Sequence, residues 1–133
     1  MISALLTQIL NSKMKKNCVI GILLLISILG CKKNQLGGKA TIKGSVLHHE
    51  KLIPRARIFV KFNAKEFPGA DTTRYDSRVV ADADGNYTLA CYKGNYYLYG
   101  VGYDDAIQLK VYGGLAVSIR NNETVNTDVA VTE

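Results

Sequence analysis

No apolar run in this sequence is long enough to cross a bilayer. The run from Val19 to Leu29 has 11 residues, whereas a spanning helix needs about 20. Histidine is nearly absent: His48 and His49 stand side by side and no other occurs, which excludes a His-rich metal set and leaves little material for a Ser-His-Asp triad. Cysteine occurs three times, as Cys18, Cys31 and Cys91. Beyond Lys43 the chain has no excess of either charge sign, because 10 Lys and Arg face 11 Asp and Glu from Gly44 onward. The formal charge of +6 therefore comes from residues 13 to 43. A nucleic-acid-binding face on the body of the chain is not expected on that ground.

What is present begins with the order of residues around the apolar run. Lys13, Lys15 and Lys16 precede it and small Gly30 follows it, the positive, apolar, small sequence of a secretory signal peptide. Translation from Met14 gives a compact leader, "MKKNCVIGILLLISILGC", and leaves residues 1 to 13 as an upstream extension. Ile28, Leu29, Gly30 and Cys31 resemble the lipobox of bacterial lipoproteins. The resemblance implies cleavage before Cys31, a diacylglycerol group on its thiol and lipid attachment to a membrane of the bacterial cell envelope, at the outer membrane or the periplasmic face. Cys18 would leave with the leader, so the mature chain would hold a capped Cys31 and a single Cys91, with no internal disulfide. Residues 32 to 39, "KKNQLGGK", show no apolar periodicity and carry a glycine pair. They read as a flexible tether. The expected organisation is a signal peptide over residues 1–30, a lipidated cysteine and tether over 31–39, and one domain over 40–133.

From Ala40 the pattern turns to period two. In "ARIFVKFN", Ala56, Ile58, Val60 and Phe62 share one face, with Arg57, Phe59 and Lys61 on the other. Asp84-Gly85, Gly94-Asn95 and Asn121-Asn122 supply turn dipeptides and read as hairpins. Strands are predicted near 40–47, 56–63, 74–83, 86–92, 96–103, 106–112, 115–120 and 124–132. No helical stripe of useful length follows the leader, so the fold class is all-β, a sandwich of seven or eight strands.

"TIKGSV", "IPRARIFV", "ADADGNYTL" and "KGNYYLYGVGYD", in this order and spacing, resemble carboxypeptidase regulatory-like domains, a branch of the transthyretin-like or prealbumin-like Greek-key sandwiches. The resemblance covers about residues 40 to 131. It implies a non-catalytic module: a spacer, accessory fold or binding platform that needs no cofactor.

Candidate chemistry is sparse. His48, His49 and Glu50 carry metal-ligating groups, but adjacent side chains on extended backbone diverge, so these residues read as a polar inter-strand loop and no metal is expected. Asp82, Asp84 and Asn86 alternate oxygens as calcium loops do, yet Gly85 is at the fourth position instead of the sixth and Lys93 stands where the closing glutamate belongs. A turn explains them better. Cys91 falls on the same face as Tyr87 and Leu89 and reads as a core thiol. Hydroxyisourate hydrolases share the prealbumin fold, and that resemblance would imply functional His and Arg residues and a C-terminal Tyr-Arg-Gly-Ser. This chain ends "VAVTE", so no catalytic residue is assigned, and a small envelope hydrolase is the lesser alternative. If Tyr96 and Leu98 point inward, Tyr97, Tyr99 and Tyr103 line the outer face of the same strand, with Phe59 nearby. They form either a binding face for a glycan or an envelope protein, or ordinary cross-strand pairs on an exposed sheet.

Overall fold

The computed structural model describes Gly30 and residues 32–133. The expected signal peptide, up to residue 29, and Cys31 thus lie outside the described residues. From Lys32 onward the chain is an all-β sandwich. Nine strands are formed among the described residues: β1 (Leu36–His48), β2 (Lys51–Leu52), β3 (Arg57–Phe62), β4 (Ser77–Val80), β5 (Asn86–Cys91), β6 (Gly94–Asp104), β7 (Leu109–Ile119), β8 (Thr124–Asn126) and β9 (Val129–Val131). In the first sheet β1 is central. It pairs antiparallel with β5 and β2 and parallel with β8 and β9. The second sheet is antiparallel throughout, in the order β4-β3-β6-β7.

The period-two reading holds where the alternation is clearest. Ile58 and Val60 of β3, Tyr87, Leu89 and Cys91 of β5, and Tyr96 and Leu98 of β6 are buried. With Ile42 and Val46 of β1, Val111, Val117 and Ile119 of β7, and Val129 and Val131 of β9, they form one core between the sheets. Alternation follows from the pleat, which sends successive side chains to opposite faces.

Turns fall where the dipeptides predict, but they are not hairpins. Asp84-Gly85 lies between β4 and β5, Gly94-Asn95 opens β6 after β5, and Asn121-Asn122 lies between β7 and β8; each joins strands of opposite sheets. These crossings place β6 beside β3 while β5 goes to the other sheet, as in a Greek key. The first crossing is organised by Asp82, whose Oδ1 accepts from the backbone N–H groups of Asp84 and Asn86, both at 2.9 Å. That carboxylate is consumed by the turn, which accounts for the Asp82-Asp84-Asn86 pattern. Asp82→Ala removes two charge-assisted acceptances at once and is expected to cost about 1–3 kcal/mol, read as a lowered urea midpoint with an unchanged slope.

Several boundaries differ from the sequence expectation: the unexpected β2 helps raise the seven or eight expected strands to nine, and the strand expected over 74–83 forms only at Ser77–Val80 because Thr72–Arg74 turns as a 3-10 helix. β1 starts at Leu36, not Ala40, so the predicted tether through residue 39 is shorter. Leu36 and Ala40 both face Cys91 across a register shift, and a Cβ on Gly38 would collide with the Cys91 carbonyl. The glycine pair permits a bulge against β5 and is not a linker. Gly113-Gly114, read as a break between two strands, lies inside β7. A side chain on Gly113 would strike the Ala130 carbonyl, so the absent Cβ lets β9 close against β7, sealed by the Tyr112–Thr132 bridge. The last predicted strand, 124–132, is split in two. At the break the Asp128 carboxylate takes the Ser45 N–H at 2.8 Å, replacing the backbone acceptor that a continuous ladder would offer.

Candidate functional site

Alternation along three strands continues past the apolar core and ends in polar residues. Inward positions run from Val46 to His48 on β1 and from Gly102 to Asp104 on β6, while Glu133 follows Val131 of β9 by the same two-residue step. All three polar residues meet at one end of the sandwich. His48 is 4% exposed and Asp104 3% exposed. His48 Nδ1 lies 2.8 Å from Asp104 Oδ2, and His48 Nε2 lies 2.8 Å from Glu133 Oε2. The other Asp104 oxygen accepts from Lys51 Nζ at 2.7 Å and from the Ala106 N–H at 2.9 Å.

The electrostatics follow from these contacts. Asp104, held first by Lys51 and then by His48 and the Ala106 N–H, has its carboxyl well below the usual carboxylate range. The Asp104 bond raises the His48 imidazole above its ordinary value against the opposing effect of burial, with Glu133 adding to the rise. Among the described residues no buried side-chain polar atom lacks a partner, so this polar end closes the core without leaving an orphaned group.

The expectation that His48, His49 and Glu50 form a polar loop is corrected for His48, which is the last residue of β1 and buried. His49 does lie in the two-residue turn to β2, at φ +46°. That left-handed backbone bends the chain so that the His48 and His49 rings approach to 4.5 Å between centroids. The divergence expected of neighbours applies to extended backbone, and His49 is not extended. Asp104 and Glu133 escape a motif-based reading of the sequence altogether. The signal that finds them is the strand parity itself, carried two residues beyond the last apolar inward position.

Tyr97, Tyr99 and Tyr103 do share the outer face of β6, but they do not form an open stripe. The segment between β3 and β4, which includes a short 3-10 turn at Thr72–Arg74, folds back over that face. Phe67 approaches Tyr97 and Tyr99 to 5.7 and 5.4 Å, and Tyr75 stacks on Tyr99 at 5.7 Å with 19° between planes. Phe59, opposite Tyr99 in the register, completes the cluster through Tyr75. Tyr99 is thereby only 5% exposed, whereas Tyr103 stands apart at 48%. A half-buried aromatic cluster around Tyr99, with Phe67 itself 53% exposed, thus occupies the place of a continuous tyrosine face.

Burial pushes the Tyr75 phenol up to about 12, with Tyr97 and Tyr99 contributing, and the core position of Tyr96 does the same, to about 12, with Cys91 contributing. An unfolded chain ionises tyrosine near pH 10. The fold favours the neutral phenol, so this contribution to stability is intact below about pH 10 and is lost as pH rises toward 12. Denaturant midpoints measured across that interval are expected to fall steadily; flat midpoints would contradict the packing of these rings.

Cys91 is fully buried and burial raises its thiol, the opposite of what an activated nucleophile requires.

No family model and no curated protein matches this chain. Among solved structures it is similar to the major pilin subunit of Bacillus cereus, determined as a variant of BcpA, at 15% sequence identity and a TM-score of 0.49. The match covers 72% of this chain and 30% of the pilin chain, so this chain spans under a third of that protein's length.

Proposed function

We propose that the protein is a lipid-anchored module of the bacterial cell envelope, a non-catalytic β-sandwich of the carboxypeptidase regulatory-like kind that serves as a structural or binding unit. The observation that carries this reading is how soon the fold begins after the lipobox-like cysteine. Asn34 is already fixed: its N–H donates to the Lys93 carbonyl at 2.9 Å, and its Oδ1 accepts from the Asn95 N–H at 2.9 Å. Cys31 is three residues away, and three trans peptide steps reach at most about 11 Å. A lipid on that sulfur would hold the sandwich close against the bilayer instead of on a long leash. Lys33, Lys93 and Arg120 line the same shallow depression as Asn34, which suits an end of the molecule turned toward anionic headgroups.

The non-catalytic reading is supported by the inert position of Cys91, and the use of the Asp82 carboxylate in a turn speaks against a calcium loop there. The glycan reading, which needs Tyr97, Tyr99 and Tyr103 as one platform, is weakened because Phe67 and Tyr75 cover its middle ring. Growth of an expressing bacterial host with an alkyne-tagged fatty acid tests the anchor: label is expected on the protein, and its absence would overturn the reading. Thiol- and serine-reactive activity probes test the other half, with no native labelling of Cys91 expected.

A further inference from the structure

We propose that His48, His49 and Glu133 form a binding site for a divalent transition-metal ion of the zinc class, with Asp104 as the positioning residue that orients His48. One ligand atom from each of the three lies within 4.8 Å of the others. Zinc bonds of about 2.0–2.1 Å at tetrahedral angles separate ligand atoms by about 3.3 Å. His48 Nε2 and Glu133 Oε2 are already 2.8 Å apart, and His49 and Glu133 are exposed, so small side-chain rotations bring the set to that spacing. Three protein ligands leave the fourth position to water.

A further observation separates this arrangement from a chance surface cluster, the partner of the non-ligating nitrogen. Metal-bound histidines characteristically give their other ring nitrogen to a carboxylate, which fixes ring orientation and raises ligand basicity. Asp104 holds that place on His48 Nδ1 at 2.8 Å and is itself clamped by Lys51 and the Ala106 N–H. Nε2 is thereby the nitrogen directed at Glu133, and a cation there takes the place of its proton.

The backbone at His49 supplies a way to test the site. A φ of +46° at the first position of a two-residue hairpin turn is where glycine is favoured, and a β-carbon there costs on the order of 1–3 kcal/mol. Asn34, Arg55, Asn63, Gln108 and Asn122 take the same left-handed conformation, so the strain by itself marks no site, but His49 is where it coincides with a ligand. Relieving it and retaining the ligand are therefore opposed, which gives the site a distinctive test.

The full chain, free of any polyhistidine tag and held in detergent, is titrated with zinc ions alone by calorimetry. One equivalent is expected to bind with submicromolar affinity. Losing even the outer carboxylate partner of a ligating histidine costs about 10–100-fold in metal affinity, and losing a ligand costs no less. His49→Gly and Glu133→Gln should both weaken uptake by at least about tenfold, while His49→Gly keeps or raises the denaturation midpoint. His48→Ala is avoided because it would open the buried end of the core. Failure of the folded wild-type chain to take up one equivalent, or binding by His49→Gly and Glu133→Gln equal to wild type, overturns the proposal.

Discussion

Cys31→Ser, expressed behind a secretory leader with its own cleavage site, is expected in the soluble fraction of the envelope, while the natural chain sediments with membranes. Serine has no thiol to carry the diacylglycerol, so the change removes every acyl chain at once. The size of the effect follows from the arithmetic of lipid anchoring. One chain binds a bilayer only marginally, with an association constant on the order of 10⁴ M⁻¹, whereas two or three chains on one residue hold durably, each buried methylene adding about 0.8 kcal/mol. Lys32, Lys33 and Lys39 would remain in the variant, but a few exposed lysines add only about 1 kcal/mol each near an anionic surface, and salt screens that contribution. Partition should therefore change from nearly complete attachment to nearly complete release. Fractionation at moderate salt followed by immunodetection reads it directly, and persistence of the serine variant in washed membranes would show that something other than lipid holds the protein there.

Tyr96→Ala is expected to be the most damaging single change to the sandwich itself. Tyr96 is fully buried, its ring meets Phe62 edge-on at 5.9 Å, and its hydroxyl lies 2.6 Å from the Tyr92 carbonyl and 3.0 Å from the Gln35 carbonyl. One side chain thus fills the core and ties the segment leading into β1 to the crossing between β5 and β6. Removing a buried aromatic ring costs about 3–5 kcal/mol through lost burial and the cavity left behind. The Tyr92 carbonyl then loses its hydroxyl donor as well, which adds to the cost, whereas the Gln35 carbonyl keeps the Tyr92 N–H at 2.8 Å. Against a total stability of about 5–15 kcal/mol for a domain of this size, much of the folded population is at stake. Urea denaturation should show a large drop in midpoint. Tyr96→Phe separates the two contributions: it keeps the ring, loses only the hydroxyl, and should cost about 1–3 kcal/mol.

Strand interiors are legible in the sequence because alternation is local. Ile58 and Val60, Tyr87 through Cys91, and Tyr96 with Leu98 each declare their face within a few residues, and the pleat enforces it. Turn positions are legible for the same reason. Which strands those turns connect is not, since a dipeptide with positive φ serves a hairpin or a sheet-to-sheet crossing equally well. Glycine pairs mislead in a related way. Gly37-Gly38 and Gly113-Gly114 look like breaks, but their role is set by the Cys91 and Ala130 carbonyls that pack against them, and these lie elsewhere in the chain.

The candidate site is the least legible part. His48, Asp104 and Glu133 come from three separate stretches of chain, and the pairs in contact are 56 and 85 residues apart in sequence. Their meeting depends on which end of each strand faces which, a property of sheet packing. The aromatic cover over Tyr99 is hidden similarly, because Phe67 and Tyr75 belong to a connection with no regular period. Fold class can be read from patterning, whereas convergence of side chains requires the topology.

The central claim is a covalent attachment of lipid at the point where the chain enters its sandwich. Mass spectrometry of the amino-terminal peptide, from protein isolated from its native host, addresses it most directly. The account predicts a peptide that begins at Cys31 and carries diacylglycerol on its sulfur; an unmodified Cys31 thiol in a freely diffusing species, or a peptide running intact through Gly30 and Cys31, would contradict it.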